Sequence, residues 1–180
     1  MNTVECIKTR RSVRRYTEEV ISKELMDSII DLARMAPTWK NTQTIRYVVV
    51  QDKAIIDKIK EDCLLGFEGN IKTLAQCNTL VVLSQINGRC GYERDGSFTT
   101  SKGAGWEMFD AGIAAQTFCL AAHEMGVGSC ILGIFDDAKV GELIELPEGQ
   151  TVTALIPVGI PKFIPDPTPR KEVEELVSYK

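Results

Sequence analysis

Apolar residues follow two rhythms along this chain, one helical and one unbroken. Leu25, Ile29, Leu32 and Ala36 recur three and four residues apart behind Ser22, a good N-cap. They predict a helix over 22–36 that Pro37 ends. Ile55, Ile59 and Cys63 mark the inner stripe of a second, heavily charged helix. Residues 2–9 read as a short helix. Three apolar runs read as strands: "IRYVVVQ" from Ile45, "NTLVVLSQ" around Val81 and "TVTALIPVGI" from Thr151. The β-branched run of the first predicts burial on both faces.

One segment fits neither rhythm. From Trp106 to Met125, "WEMFDAGIAAQTFCLAAHEM" is a long helix whose centre is apolar or small all round, which predicts burial on nearly every side. A chain of 180 residues has few such positions, so the simplest setting is a dimer core. Before it, residues 86–105 are rich in Gly, Ser and Thr, a long loop of the kind that serves as a lid or mobile segment. After it, "GVGSCILGIFD" breaks the pattern with glycines, and Asp136 caps a short helix ending near Leu146. The tail "PKFIPDPTPRKEVEELV" is proline-punctuated and extended, then helical. No repeat, linker or second domain interrupts the chain, so residues 1–180 read as one domain, α/β or α+β with a central sheet.

Charge sharpens this picture. Four of the nine arginines fall between Arg10 and Arg15, in "KTRRSVRRY", although the net charge is -4. A pI of about 5.2 argues against a nucleic-acid binder, which carries a broad basic face. The cluster is a local anion site on an acidic body, and Arg10, Arg11, Ser12 and Arg14 offer planar donors and a hydroxyl suited to a phosphate. The six cysteines form no CxxC pair and His123 is the only histidine, so no metal site is expected. Buried free thiols, no signal-like start and no membrane-spanning stretch are the pattern of a cytoplasmic protein. Gly126, Gly128 and Gly133 are spaced GxGxxxxG after a helix, a poor dinucleotide fingerprint. With no nucleophile elbow or Walker sequence, the remaining reading is a site where a phosphorylated heteroaromatic cofactor does the chemistry.

The motifs, taken in order, resemble the nitroreductase family of FMN-dependent oxidoreductases over nearly the whole chain. They are "RRSVR" at Arg10–Arg14, "PTWKNTQ" at Pro37–Gln43, "DAGIAAQ" at Asp110–Gln116, "GVGSCILG" at Gly126–Gly133 and "TPRK" around Arg170. The resemblance implies an α+β fold with a central mixed sheet flanked by helices, dimeric about a long buried helix. It implies that Arg10, Ser12 and Arg170, with a share for Arg11, grip the FMN phosphate and ribityl chain. Arg14 is implied at the pyrimidine edge of the ring. Thr38, Asn41 and Gln43 are implied to reach the flavin of the other subunit, and Asn70 to be a further polar contact. The backbone of Ile131, Leu132, Gly133 and Ile134 is implied near the flavin edge, donating toward N5.

The activity so implied is transfer of hydride from NADH or NADPH through flavin N5 to an electron-poor acceptor such as a nitroaromatic, quinone or enone. The flavin carries the chemistry, so no side chain is expected to be catalytic. Other readings on the same scaffold are reductive dehalogenation, flavin reduction, and an FMN-binding electron-transfer or storage module without turnover. The chain departs from the family pattern at Thr44 and Ile45, which replace Pro-Trp, and at Trp39, which replaces a small residue and is expected to line the substrate pocket. Both changes fall near the ring, so they leave acceptor preference open, and the sequence offers no identifiable reader of a 2′-phosphate to choose between NADH and NADPH.

Overall fold

A computed structural model describes residues 1–180. The chain runs α1 (Thr3–Thr9), α2 (Lys23–Ala33), β1 (Ile45–Val50), α3 (Lys53–Asp62), α4 (Glu68–Leu74) and β2 (Thr79–Ile86). It continues with α5 (Gly105–Glu124), β3 (Gly128–Ser129), α6 (Asp137–Leu143) and β4 (Gln150–Gly159). The four strands pair antiparallel in the order β1-β2-β4-β3, and a parallel bridge from Ser12 to Ser129 makes that edge mixed.

Alternation along β2 builds two cores. Leu80 and Val82 face a layer of α3, α4 and α6 with Ile56, Ile59, Leu74 and Val140, while Val81 and Leu83 face α2 and α5 with Ile29 and Phe118. On β4, a bulge opposite Leu83/Ser84 inserts Thr153, whose Oγ1 donates to the Leu83 carbonyl at 3.1 Å. One extra residue switches the parity, so Val152 and Leu155 share a core although they stand three positions apart.

The strand β1 lies at the sheet edge rather than in its centre. Arg46 and Val49 are exposed, so the expected burial on both faces does not hold: a strand with one neighbour leaves part of its surface to water. The helix α2 keeps its Ser22 cap, whose Oγ accepts from the Leu25 amide at 3.2 Å, but ends at Ala33. Met26, Ile29 and Ala33 form its buried stripe, and Leu32 is exposed. The Asp136 cap also holds, accepting from Lys139 N at 3.1 Å, with α6 stopping at Leu143. Within one chain, α5 buries Ala111, Ala114, Ala115, Phe118 and Ala122 but leaves Met108 and Phe109 more than half exposed, at 56% and 58%. Its burial on nearly every side is therefore not achieved by this chain alone. No helix is long and apolar enough to cross a membrane.

Candidate functional site

The arginine segment is held as a strand-like strap against the sheet. Val13 N donates to Ser129 O at 2.9 Å, Thr17 N to Ile160 O at 2.8 Å, and Lys162 N to Arg15 O at 3.0 Å. Tyr16 anchors it from beneath: buried at 3% exposure, its hydroxyl donates to Val13 O at 2.6 Å and approaches Pro157 O at 3.0 Å. Burial pushes the Tyr16 phenol far above its usual range, so it remains a donor. Two glycines admit the strap. A Cβ on Gly128 would stand 2.8 Å from Val13 Cβ, and one on Gly159 would stand 2.8 Å from Tyr16 Cβ.

So fixed, the cluster is a set of cations without acids. No ion pair engages Arg10, Arg11 or Arg14. Arg11 donates only to the carbonyls of Lys8 and Arg10, and its Nε is buried with no partner. Arg14 donates only to Ser12 O, at 3.3 Å. Arg10, Arg11, His123 and Ser129 line a cavity of about 230 Å³. Burial, then the charges of Arg10 and Arg11, hold the His123 imidazole below its ordinary pKa, so the ring adds no cation and hydrogen-bonds Thr9 Oγ1 at 2.8 Å.

From Ser129 the chain passes directly into residues 131–134. Leu132 is pinned to Leu155 by reciprocal backbone hydrogen bonds, which turn its neighbours outward. The backbone N–H groups of Ile131, Gly133 and Ile134 consequently donate to no protein acceptor, and both isoleucines are exposed. Asn70, buried on α4, donates from Nδ2 to Ile134 O at 3.0 Å. The arginine strap and residues 131–134 thus adjoin at the β3 edge of the sheet through Ser129, and Asn70 reaches the far end of that segment from α4.

Thr38, Trp39, Asn41 and Gln43 stand apart. Their loop, a 3₁₀ turn over Trp39–Asn41, rests on α5, and no hydrogen bond or shared cavity joins it to the arginine strap. Lys40, Asn41 and Gln43 adopt left-handed φ values of 44°, 56° and 50°. The Trp39 ring packs against Trp106 with centroids 4.7 Å apart and planes tilted by 46°, and Trp106 meets Phe109 edge-on at 5.4 Å. Arg170 is also separate: the exposed tail carries it, and its guanidinium bonds only to Thr168 and Pro169.

A buried acidic pair on α5 is absent from the expected site residues. Asp110 Oδ2 accepts from Trp39 N at 2.8 Å and from Cys90 Sγ at 3.1 Å. Glu107 accepts from Gln85 Nε2 at 3.2 Å and Gly88 N at 2.7 Å. The signal in the sequence is two carboxylates three residues apart in the mainly apolar first turns of a helix.

Fold and site together define a class: an α+β protein with an unneutralised arginine strap beside free backbone donors, able to hold a phosphate attached to a polar planar group. The sequence model of the nitroreductase family matches residues 7–160, and the chain belongs to that family. It is an oxidoreductase, similar to the NADPH-flavin oxidoreductase of Vibrio harveyi, with 30% identity over 94% of this chain and 70% of the relative. Its structure resembles that of a nitroreductase family protein from Clostridium difficile, 26% identical, with a TM-score of 0.79 over 100% of this chain and 99% of the other. It shares its fold with a nitroreductase from Desulfovibrio desulfuricans solved in complex with FMN, 23% identical, TM-score 0.75, covering 100% and 98%.

Proposed function

We propose that this protein is an FMN-dependent reductase that passes hydride from NADH or NADPH to an electron-poor acceptor, working in the cytoplasm as a homodimer of one-domain subunits. The observation that carries the reading is the arginine strap. Three guanidinium groups have no acid partner, a buried Arg11 Nε is orphaned, and free N–H groups lie at Ile131, Gly133 and Ile134. That donor set fits a phosphate at one end and the acceptor atoms of a flavin ring at the other. When bound, FMN supplies the two-electron relay between nicotinamide and acceptor.

Each residue group has a distinct task. Arg10, Arg11 and Ser12 hold the phosphate by charge-assisted hydrogen bonds. Arg14 supplies a fixed cation at the ring edge, where negative charge grows on reduction. The free N–H groups of Ile131, Gly133 and Ile134 orient the edge that exchanges hydride, and Asn70 steadies that segment through its bond to Ile134 O. Nicotinamide and acceptor use the same open face in turn, and no protein acid or base is required.

The dimer follows from what one chain leaves unfinished. Thr38, Asn41 and Gln43 lie away from the strap, so they serve the cofactor bound mainly by the partner. The outer face of α5, with Met108 and Phe109, and a groove of about 260 Å³ between α1 and α5 lined by Cys6, Ile7, Leu32 and Leu120, are apolar surfaces for a second copy. The exposed tail would deliver Arg170 to a phosphate on the completed dimer.

The test is spectroscopic. The purified protein should be yellow, bleach with NADH or NADPH under anaerobic conditions, and recolour on adding a quinone or nitroaromatic. Bleaching without recolouring by any acceptor marks an electron store, and a colourless protein that takes up no FMN overturns the reading.

A further inference from the structure

Asp110 is a carboxylate in an unusual place. It is 3% exposed, it sits on the face of α5 that also buries Ala111 and Ala114, and no lysine or arginine pairs with it. An acid taken out of water without a cation is costly unless its hydrogen bonds accomplish something. Both of its bonds go to one oxygen and join segments distant in sequence: the Trp39 amide and the Cys90 thiol.

The loop that Trp39 begins needs such a hold. Three of its non-glycine residues, Lys40, Asn41 and Gln43, adopt left-handed conformations that side chains disfavour. Thr38 Oγ1 accepts from Gln43 N at 3.1 Å, and Lys40 pairs with Glu93 at 3.2 Å, but Gln43, Lys40 and Glu93 are all exposed. The Asp110 contact is the anchor made from a buried side chain. One turn earlier, Glu107 grips Gly88 N and Gln85 in the same way, so the acidic pair fastens the start of the 87–104 loop to the helix that holds the Trp39 loop. Burial, then the bond to Asp110, pushes the Cys90 thiol up to about 12, so it stays protonated and donates.

We infer that Asp110 is a positioning residue: its buried carboxylate clamps the Trp39 amide and the Cys90 thiol together, holding residues 38–43 in the strained conformation that presents Thr38, Asn41, Gln43 and the Trp39 indole to the cofactor. What the loop meets rests on the FMN reading above; the clamp itself does not. The arginine strap is untouched by it, so loss of the clamp leaves phosphate binding in place and alters the ring environment and acceptor access instead.

The experiment compares full-length wild type with Asp110→Ala and Asp110→Asn, the latter keeping an oxygen for the Trp39 amide. Hydrogen exchange of the Trp39 amide and iodoacetamide labelling of Cys90, both followed in the apoprotein, read the clamp directly. In Asp110→Ala each should accelerate by about tenfold or more, with Asp110→Asn retaining slower Trp39 exchange. In the FMN-loaded proteins, Asp110→Ala should keep FMN affinity within about threefold, shift the visible flavin bands and lower acceptor kcat/KM by roughly tenfold or more, chiefly through KM. Unchanged exchange and labelling overturn the inference. So does faster exchange with unchanged flavin bands and acceptor kinetics. If both variants fail to fold, the carboxylate serves the core rather than the loop, and the inference is wrong. If wild type binds no FMN, the cofactor reading falls by that result alone, while the exchange measurement still decides the clamp.

Discussion

The proposed function gives Arg10 and Trp39 separate tasks at the level of single side chains. Arg10 has no acid partner to release, so its guanidinium is available to an incoming phosphate without breaking an existing pair. A charge-assisted contact of this kind is worth about 1.5–3 kcal/mol, so Arg10→Ala should weaken FMN binding roughly tenfold or more while leaving the circular dichroism spectrum unchanged. Equilibrium titration of the apoprotein with FMN measures this, and full affinity in the variant would place the phosphate elsewhere. Trp39 has a second duty, because its ring also packs on Trp106 at 4.7 Å. Trp39→Ser should therefore lower stability by about 0.5–1.5 kcal/mol in a urea melt. Its main effect should be a roughly tenfold shift in relative kcat/KM between a small quinone and a bulky nitroaromatic, with FMN content nearly unchanged. Equal changes for both substrates would reduce Trp39 to packing alone.

The strap and the short strand β3 act as one element. Val13 covers Gly128, and the space between them is already closed to a methyl group: a Cβ there would lie 2.8 Å from Val13 Cβ and 2.9 Å from both of its methyls. The displacement has nowhere to go, since Tyr16 ties the far end of the strap to Val13 O and Pro157 O. Gly128→Ala should cost about 1–3 kcal/mol of stability through overpacking and move Arg10, Ser12 and Arg14 relative to residues 131–134. The diagnostic is that FMN affinity falls although no arginine has been changed. If the melt and the titration both match wild type, the strap is less rigidly seated than its hydrogen bonds indicate.

At the level of the whole molecule, one chain holds two separated residue groups that the proposed function assigns to the cofactor, and an apolar helix face that it does not cover. Thr38, Asn41 and Gln43 form one group, and the arginines with Asn70 and residues 131–134 form the other. Exposed Met108 and Phe109, together with Phe163, Ile164, Leu176 and Val177 of the tail, give a second copy extensive apolar surface to bury. The FMN-loaded protein should sediment as a dimer at micromolar concentration. Removing residues 165–180, which pack little against their own chain, should leave the fold intact and reduce both dimer stability and FMN affinity. A flavin-loaded monomer of unchanged affinity would separate the 38–43 loop from the cofactor.

Local chemistry made much of this protein legible from its sequence. Ser22 and Asp136 cap helices because a short polar side chain before an apolar repeat meets unpaired amides wherever the helix is placed. The strands β2 and β4 declared themselves by apolar runs that leave no polar face, and the arginine cluster stood out against an acidic composition. Other features depended on partners that a local pattern does not contain. Leu25, Met26, Ile29, Leu32 and Ala33 offer two overlapping helical stripes, and only the position of α5 selected Met26, Ile29 and Ala33 for the core. Likewise, "IRYVVV" reads the same at an edge or a centre; pairing on one side alone made β1 an edge. The contact of Asp110 with Trp39 and Cys90 spans 71 and 20 residues, and no spacing rule relates such positions. Charge, caps and propensity act over a few residues, so the anion cluster and the helix starts could be read before any fold was known. Which residues come together depends on burial and long-range hydrogen bonds, and these exist once distant segments have met.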